Sequence, residues 1–246
     1  MKRGEVIIYL SFVILSVIIF SSLTNAATRT CSSCGNCTAE IATAAAGDVV
    51  QLNQSINVSG ICVNFGGTSN ISFNCQSNVL GGDRTDYGIY LNSVNNNTIR
   101  NCNVSNFSYG IYLISSNNNI LTNITANNNT NPGIYLSSNS NKNNLTNIIS
   151  NNNQYGILLD TGSNNNIVNL TVQENTLYDI MVSNTNQNSC NNNFSNINGS
   201  GGRAIEFYNY SAVIQNKTLS QLILCNADYS SINNVTIKSS GTLSNN

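Results

Sequence analysis

From about Gly47 onward the apolar residues come in short bursts of alternating positions, with polar runs between them. Ile111 and Leu113 share one parity, Ser115 to Asn119 are polar, and Leu121, Ile124 and Ala126 follow. Such bursts of period two, punctuated by Asn and Gly, predict very short strands joined by tight turns, with no helical spacing. The bursts also recur. Tyr-Gly-Ile-Tyr-Leu stands at Tyr87–Leu91 and Tyr109–Leu113, then Pro132–Leu136, Tyr155–Leu159 and Tyr178–Val182 carry variants of it, in steps of 22 or 23 residues. A fixed period of this size marks a solenoid in which each supersecondary unit stacks on the last. Three short strands per repeat predict an all-β, single-domain, right-handed parallel β-helix. From Gly47 to the end there is room for eight or nine coils of 22–23 residues, a rod of about 40 Å at about 4.8 Å per coil.

Asparagine supplies about a fifth of the chain. It tolerates the left-handed backbone region better than other non-glycine residues and bonds locally to turn backbone. The triplets Asn117–Asn119, Asn127–Asn129, Asn151–Asn153, Asn164–Asn166 and Asn191–Asn193 fall between the bursts, as turn residues should. Gly110, Gly133 and Gly156 recur just before a burst, where a turn needs positive φ or a close backbone approach. An Asn-rich tract can instead be disordered, but the regular Ile and Leu positions argue for order.

The segments NISFNCQSNVLGGDRTDYGIYL (Asn70–Leu91) and NNTIRNCNVSNFSYGIYL (Asn96–Leu113) resemble the right-handed parallel β-helix repeat proteins. That group includes the NosD-type periplasmic copper-binding proteins and many prokaryotic surface proteins. The resemblance spans roughly Gly47 to Lys238 and implies an envelope or extracellular setting, with carbohydrate as ligand or substrate. It does not carry copper handling over to this chain. There is no histidine, and Met181 is the sole methionine beyond Met1. The His between aspartates expected of alginate epimerases with this fold is missing too, as is the Gly-His-Gly of polygalacturonases.

Residues 1–26 read as a secretory signal: Lys2 and Arg3, an apolar run from Val6 to Phe20, then small residues up to Ala26. An uncleaved membrane anchor is the rival reading, and no other segment implies a membrane. Residues 27–46 form a Cys-rich N-terminal cap, and 47–246 the repeats, still reading as coil at Asn246. Cys31, Cys34, Cys37, Cys62, Cys75, Cys102, Cys190 and Cys225 all follow the signal. An even number in an oxidising compartment predicts disulfides. Cys75 and Cys102 sit at nearly the same offset in adjacent coils, within bridging reach. The Cys31-x-x-Cys34-x-x-Cys37 cluster reads as a metal or redox site or as a stapled cap, and the staple is favoured. Neither a metal nor another cofactor is expected. Charge is sparse and near neutral, −1 overall, which excludes nucleic-acid binding by counterion release. Sixteen Asn-x-Ser/Thr sequons, Asn103 and Asn209 among them, leave glycosylation open.

Two carboxylates that cleave a glycoside stand roughly 5–9.5 Å apart. Asp83 and Glu174 share an offset but lie four coils apart, about 19 Å. Asp83 and Asp86 alone are close, with Arg84 between them in a charged loop. These three are the weak candidates for a lyase or hydrolase site, Arg84 as base or clamp; as a bland alternative the loop is a solvated turn. In Gly-Ile-Tyr-Leu the Ile and Leu point inward, so the residue between points out. That position reads Tyr90, Tyr112, Tyr135, Leu158, Met181 and Glu206 along the coils. Tyr90, Tyr112 and Tyr135 are the candidate ligand-binding stripe, because sugars pack on surfaces that combine apolar area with a hydroxyl. Stacking of like residues for fit alone is the plain alternative. Tyr87, Tyr109, Tyr155 and Tyr178 are expected to pack over the turn. Two readings stay open: a secreted or cell-surface, non-catalytic β-helix that binds an extracellular polysaccharide or cell-surface glycan or serves as a coat, and a polysaccharide lyase or hydrolase acting from the Asp83–Asp86 loop.

Overall fold

The computed structural model describes residues 26–183 and 187–240. The expected secretory segment lies outside the described residues, apart from Ala26. Among the described residues no helix is long and apolar enough to cross a membrane.

The chain is nearly all β and winds into a parallel solenoid of about seven turns. One sheet stacks Thr28–Cys31, Val49–Leu52, Ser72–Asn74, Thr98–Ser105, Ile120–Asn127, Asn144–Ile149, Asn166–Thr171 and Asn193–Asn198, with Ile56–Asn57 and Val79–Gly81 extending it. A second sheet stacks Val63–Asn64, Tyr87–Asn92, Tyr109–Ile114, Ile134–Ser137, Tyr155–Asp160 and Tyr178–Ser183. The register turns the sequence repeat into columns. Ile89, Ile111, Ile134, Ile157 and Ile180 lie one above the next in the second sheet, and each is buried. Ile99, Leu121, Leu145 and Ile167 do the same in the first. The alternation therefore has one cause: each strand sends every second side chain into a single narrow core.

The recurring glycines are set by space. Their φ angles are ordinary, but a Cβ on Gly110 would stand 2.5 Å from the carbonyl oxygen of Gly133, and one on Gly156 2.5 Å from that of Asp179. Asparagine is the commonest residue at the left-handed turns: Asn101, Asn123, Asn147 and Asn169 have φ of 53–56° and bend the first sheet at one corner of successive coils. Each passes its side-chain amide down the stack, Asn123 to Asn101, Asn147 to Asn123 and Asn169 to Asn147.

Deeper in the turns, Asn97, Asn119, Asn143, Asn165 and Asn192 form a buried ladder. The backbone N–H of each of the first four donates to the side-chain carbonyl of the next at 2.8–2.9 Å. Their side-chain amides donate to the backbone carbonyls of Thr68, Val94, Ser116, Ser140 and Gly162. A second ladder, Asn129, Asn153 and Asn175, serves the opposite turn. Buried backbone groups that no strand can reach are satisfied this way, and the demand accounts for much of the asparagine.

At the N-terminal end the helix Cys34–Ala42, capped by Ser33, lies beside the first strands. Thr38 protects the edge of the second sheet. Its hydroxyl accepts from the Asn64 N–H at 3.1 Å and donates to the Cys62 carbonyl at 3.4 Å. Disulfides Cys31–Cys37 and Cys34–Cys62 hold the helix there, and Cys75–Cys102 links adjacent coils. The thiolates that a metal at the Cys31–Cys37 cluster would need are consumed in these bridges. Cys190–Cys225 ties the C-terminal part to the coils.

The regular array ends earlier than the period implied. After Asn198 the run Ser200–Gly202 turns the chain, with Gly201 and Gly202 at φ of 68° and 69°. Beyond it Ile205 pairs with Gln221 and Val213 with Ser231, offsets of 16 and 18 residues, in two separate two-stranded sheets. The count of turns falls below eight or nine because these shorter loops do not continue the 22-residue coil. At the break, the Gln221 side chain stands in for a missing strand: it accepts from the Ile180 N–H at 3.1 Å and donates to the Ile180 carbonyl at 2.6 Å.

Candidate functional site

The second sheet brings Tyr90, Tyr112 and Tyr135 into one column, paired in register across three coils. Tyr112 and Tyr135 stack with ring centroids 4.7 Å apart and planes 6° from parallel, and Tyr90 lies 5.7 Å from Tyr112 at 43°. Tyr87 and Tyr109 do not pack over the turn as expected. They join the same cluster: Tyr87 stacks on Tyr90 at 4.9 Å, and Tyr109 on Tyr112 and Tyr135 at 5.5 and 5.9 Å. Gly88 and Gly110 are the reason. A Cβ on Gly88 would stand 2.6 Å from the Gly110 carbonyl oxygen, the same close approach as at Gly110, so both are drawn inward and the tyrosine before each is left on the outer surface. The result is a five-ring patch, half-buried throughout. Tyr155 and Tyr178 form a separate stacked pair, divided from the patch in their column by the buried Pro132.

Stacking along the axis covers ring faces with other rings, so the patch turns edges and hydroxyls outward. Two of these hydroxyls are fixed by the next coil. The Ser137 hydroxyl donates to the Tyr112 oxygen at 3.1 Å, and the Tyr135 hydroxyl donates to an Asp160 carboxylate oxygen at 3.4 Å. Partial burial, then the negative charge of Asp160, push the Tyr135 phenol up to about 12. The Tyr87 phenol is raised as well, first by burial, then by the neighbouring tyrosines and Asp86. Ser137 and Asp160 were not singled out from the sequence. Their signal was positional: each stands two residues beyond the stripe position, one coil further on.

The loop 82–86 lies beside this patch, immediately before Tyr87, and residues 83–86 are exposed. Asp83 directs a carboxylate oxygen back onto Thr85, accepting from its hydroxyl and from its N–H. Those two bonds, the hydroxyl first, lower its pKa. Arg84 and Asp86 take left-handed backbone, φ 73° and 47°, and no ion pair joins them among the described residues.

Glu206 leaves the stripe altogether. Its strand Ile205–Tyr208 pairs with Gln221–Leu224 and not with the tyrosine sheet, because the array has already broken at Asn198. It lines a groove of about 360 Å³ against Phe194 and Ile197. There it accepts from Lys217 at 2.6 Å and from the Tyr208 hydroxyl at 2.8 Å.

This architecture matches a known family model, described as the right-handed beta helix region, over residues 49–195. The chain belongs to the right-handed beta helix family. Among solved structures, the A-module of a mannuronan C-5 epimerase from Azotobacter vinelandii is 14% identical over 86% of this chain and 79% of its own, with a TM-score of 0.45. An alginate lyase from Paenibacillus sp. str. FPU-7 is 12% identical over 85% of this chain and 99% of its own, with a TM-score of 0.43. Similarity at that level assigns no activity to this right-handed beta helix. None of the curated proteins matches it significantly.

Proposed function

We propose that this protein is a secreted or cell-surface β-helix that binds carbohydrate without cleaving it, through Tyr90, Tyr112 and Tyr135 with Tyr87 and Tyr109 alongside. The observation that carries the reading is the contiguity of five half-buried tyrosine rings on one face. Tyrosines so placed are already ordered by one another, so a ligand meets a rigid surface and little side-chain entropy is lost on binding. The patch spans about 10 Å along the axis, about the length of a disaccharide. Sugar hydroxyls exchange hydrogen bonds with the phenols that the stacked rings turn outward, and the apolar parts of the sugar cover the half-buried rings.

A catalytic reading centred on Asp83, Arg84 and Asp86 has less support. Glycoside protonation needs a carboxyl group whose pKa is raised, and Asp83 is displaced in the opposite direction. The four disulfides suit the oxidising setting that secretion implies. Affinity electrophoresis of the oxidised protein through gels carrying soluble polysaccharides tests the reading. Retardation in at least one gel, reduced at least fivefold in affinity by Tyr112→Ala, is the expected result. Unchanged retardation of that variant would remove the face from the account.

A further inference from the structure

The charge pattern around the tyrosines says which carbohydrate the face can accept. The six strands of the tyrosine sheet contain neither lysine nor arginine. Two carboxylates flank the patch. Asp160 reaches the Tyr135 hydroxyl at one end, and Asp86 precedes Tyr87 at the other. Asp179, the remaining acid in these strands, is buried and bonds inward, accepting from Asn175 and from the Ser200 N–H. The nearest cation along the chain is Arg84, on the exposed loop. A polyuronate would bring a regular row of carboxylates against a sheet face that carries no cation of its own and is flanked by two negative charges, with Arg84 on the adjoining loop offset by Asp83 and Asp86 beside it. Like-charge juxtaposition of this kind rejects a ligand more strongly than a missing contact does.

A neutral sugar meets the same surface favourably. Its hydroxyls are donors, and a carboxylate accepts from donors through two oxygens with several lone pairs. Asp160 spends one oxygen on a long bond to Tyr135 and retains acceptor capacity. Ser137 and Asp160, at matching positions on neighbouring coils, hold the phenol groups of Tyr112 and Tyr135 in fixed orientation.

We propose that the tyrosine face is selective for a neutral glycan, with Asp160 as a specificity-determining residue that accepts a sugar hydroxyl and excludes uronates. The proposal rests on the carbohydrate-binding reading above. The same gels separate the two, loaded in parallel with a neutral β-glucan, a neutral galactomannan, alginate and polygalacturonate. Retardation by a neutral polymer and by neither polyuronate is expected. Asp160→Ala should weaken neutral binding about tenfold, the scale of one hydrogen bond to a charged group. Asp160→Asn, which keeps an acceptor and removes the charge, should retain most neutral binding and narrow the discrimination against polyuronates. Circular-dichroism melts of both variants check that the coils persist. Retardation by a polyuronate alone, or wild-type behaviour of Asp160→Ala, would overturn the selectivity while leaving a carbohydrate-binding face. Retardation by none of the four would overturn the binding reading itself.

Discussion

Partial burial of the Tyr135 ring, and then the charge of the Asp160 oxygen that its hydroxyl faces, hold the phenol proton. A phenol raised to about 12 in the native state against about 10 when unfolded binds its proton more tightly when folded. Its contribution to stability is thus complete below pH of about 10 and is lost as pH rises toward about 12. Ultraviolet titration should show late-ionising tyrosines, Tyr135 and Tyr87 among them, and Asp160→Asn should bring the Tyr135 midpoint down. An unchanged midpoint would mean that the charge does not act on that ring. Gly110 poses a steric question at the same scale. Alanine there must push back the Gly133 carbonyl, and an overpacking cost of about 1–3 kcal/mol is expected in chemical denaturation. The glycines were legible in the sequence as fixed points of the repeat. That space and not positive φ fixes them became visible only with the neighbouring coil in place. The Tyr135–Asp160 contact was hidden for a similar reason, since it runs diagonally between coils and leaves no local spacing to read.

The strands and turns of one coil depend on the next for their hydrogen bonds, and the buried asparagines carry this dependence through the turns. Asn143 accepts from the Asn119 N–H and donates to the Ser116 carbonyl. Asn143→Ala should therefore cost roughly 1–3 kcal/mol for each buried group left without a partner, measured as a shift in the denaturation midpoint. Replacing the exposed Asn147, at φ 56°, tests a different property. Glycine should be tolerated there, whereas valine should destabilise, because a β-branched residue resists the left-handed region. The cysteine pattern shows how far elements can be read from sequence. Cys75 and Cys102 occupy matching offsets in successive coils, so their pairing could be anticipated. The Cys34–Cys62 bridge joins a helix to the second sheet, and nothing in the alternating pattern announced that helix. Reducing Cys75–Cys102, or replacing both residues by alanine, should cost about 2–4 kcal/mol.

As a whole molecule, the solenoid must deal with two ends whose strands lack partners, the sites where sheets otherwise pair with other chains. Thr38 covers the first edge of the tyrosine sheet and Gln221 the last, each with side-chain atoms in place of a strand. The sequence repeat made the long regular middle legible because a solenoid writes the same packing problem into every coil. It carried little information on the C-terminal part, where the offset drops to 16 and 18 residues and the inward positions no longer follow the earlier count. Glu206 was misplaced for that reason. The tyrosine face lies wholly within the regular part, so its assembly follows from the repeat. The chain has no tryptophan, so its intrinsic fluorescence reports tyrosines directly. The most direct test is to titrate the oxidised protein with a neutral oligosaccharide of a few units while following that emission. A saturable change that Tyr112→Ala weakens at least fivefold is the predicted result, whereas a flat titration with every neutral oligosaccharide, or an identical curve for the variant, would contradict it.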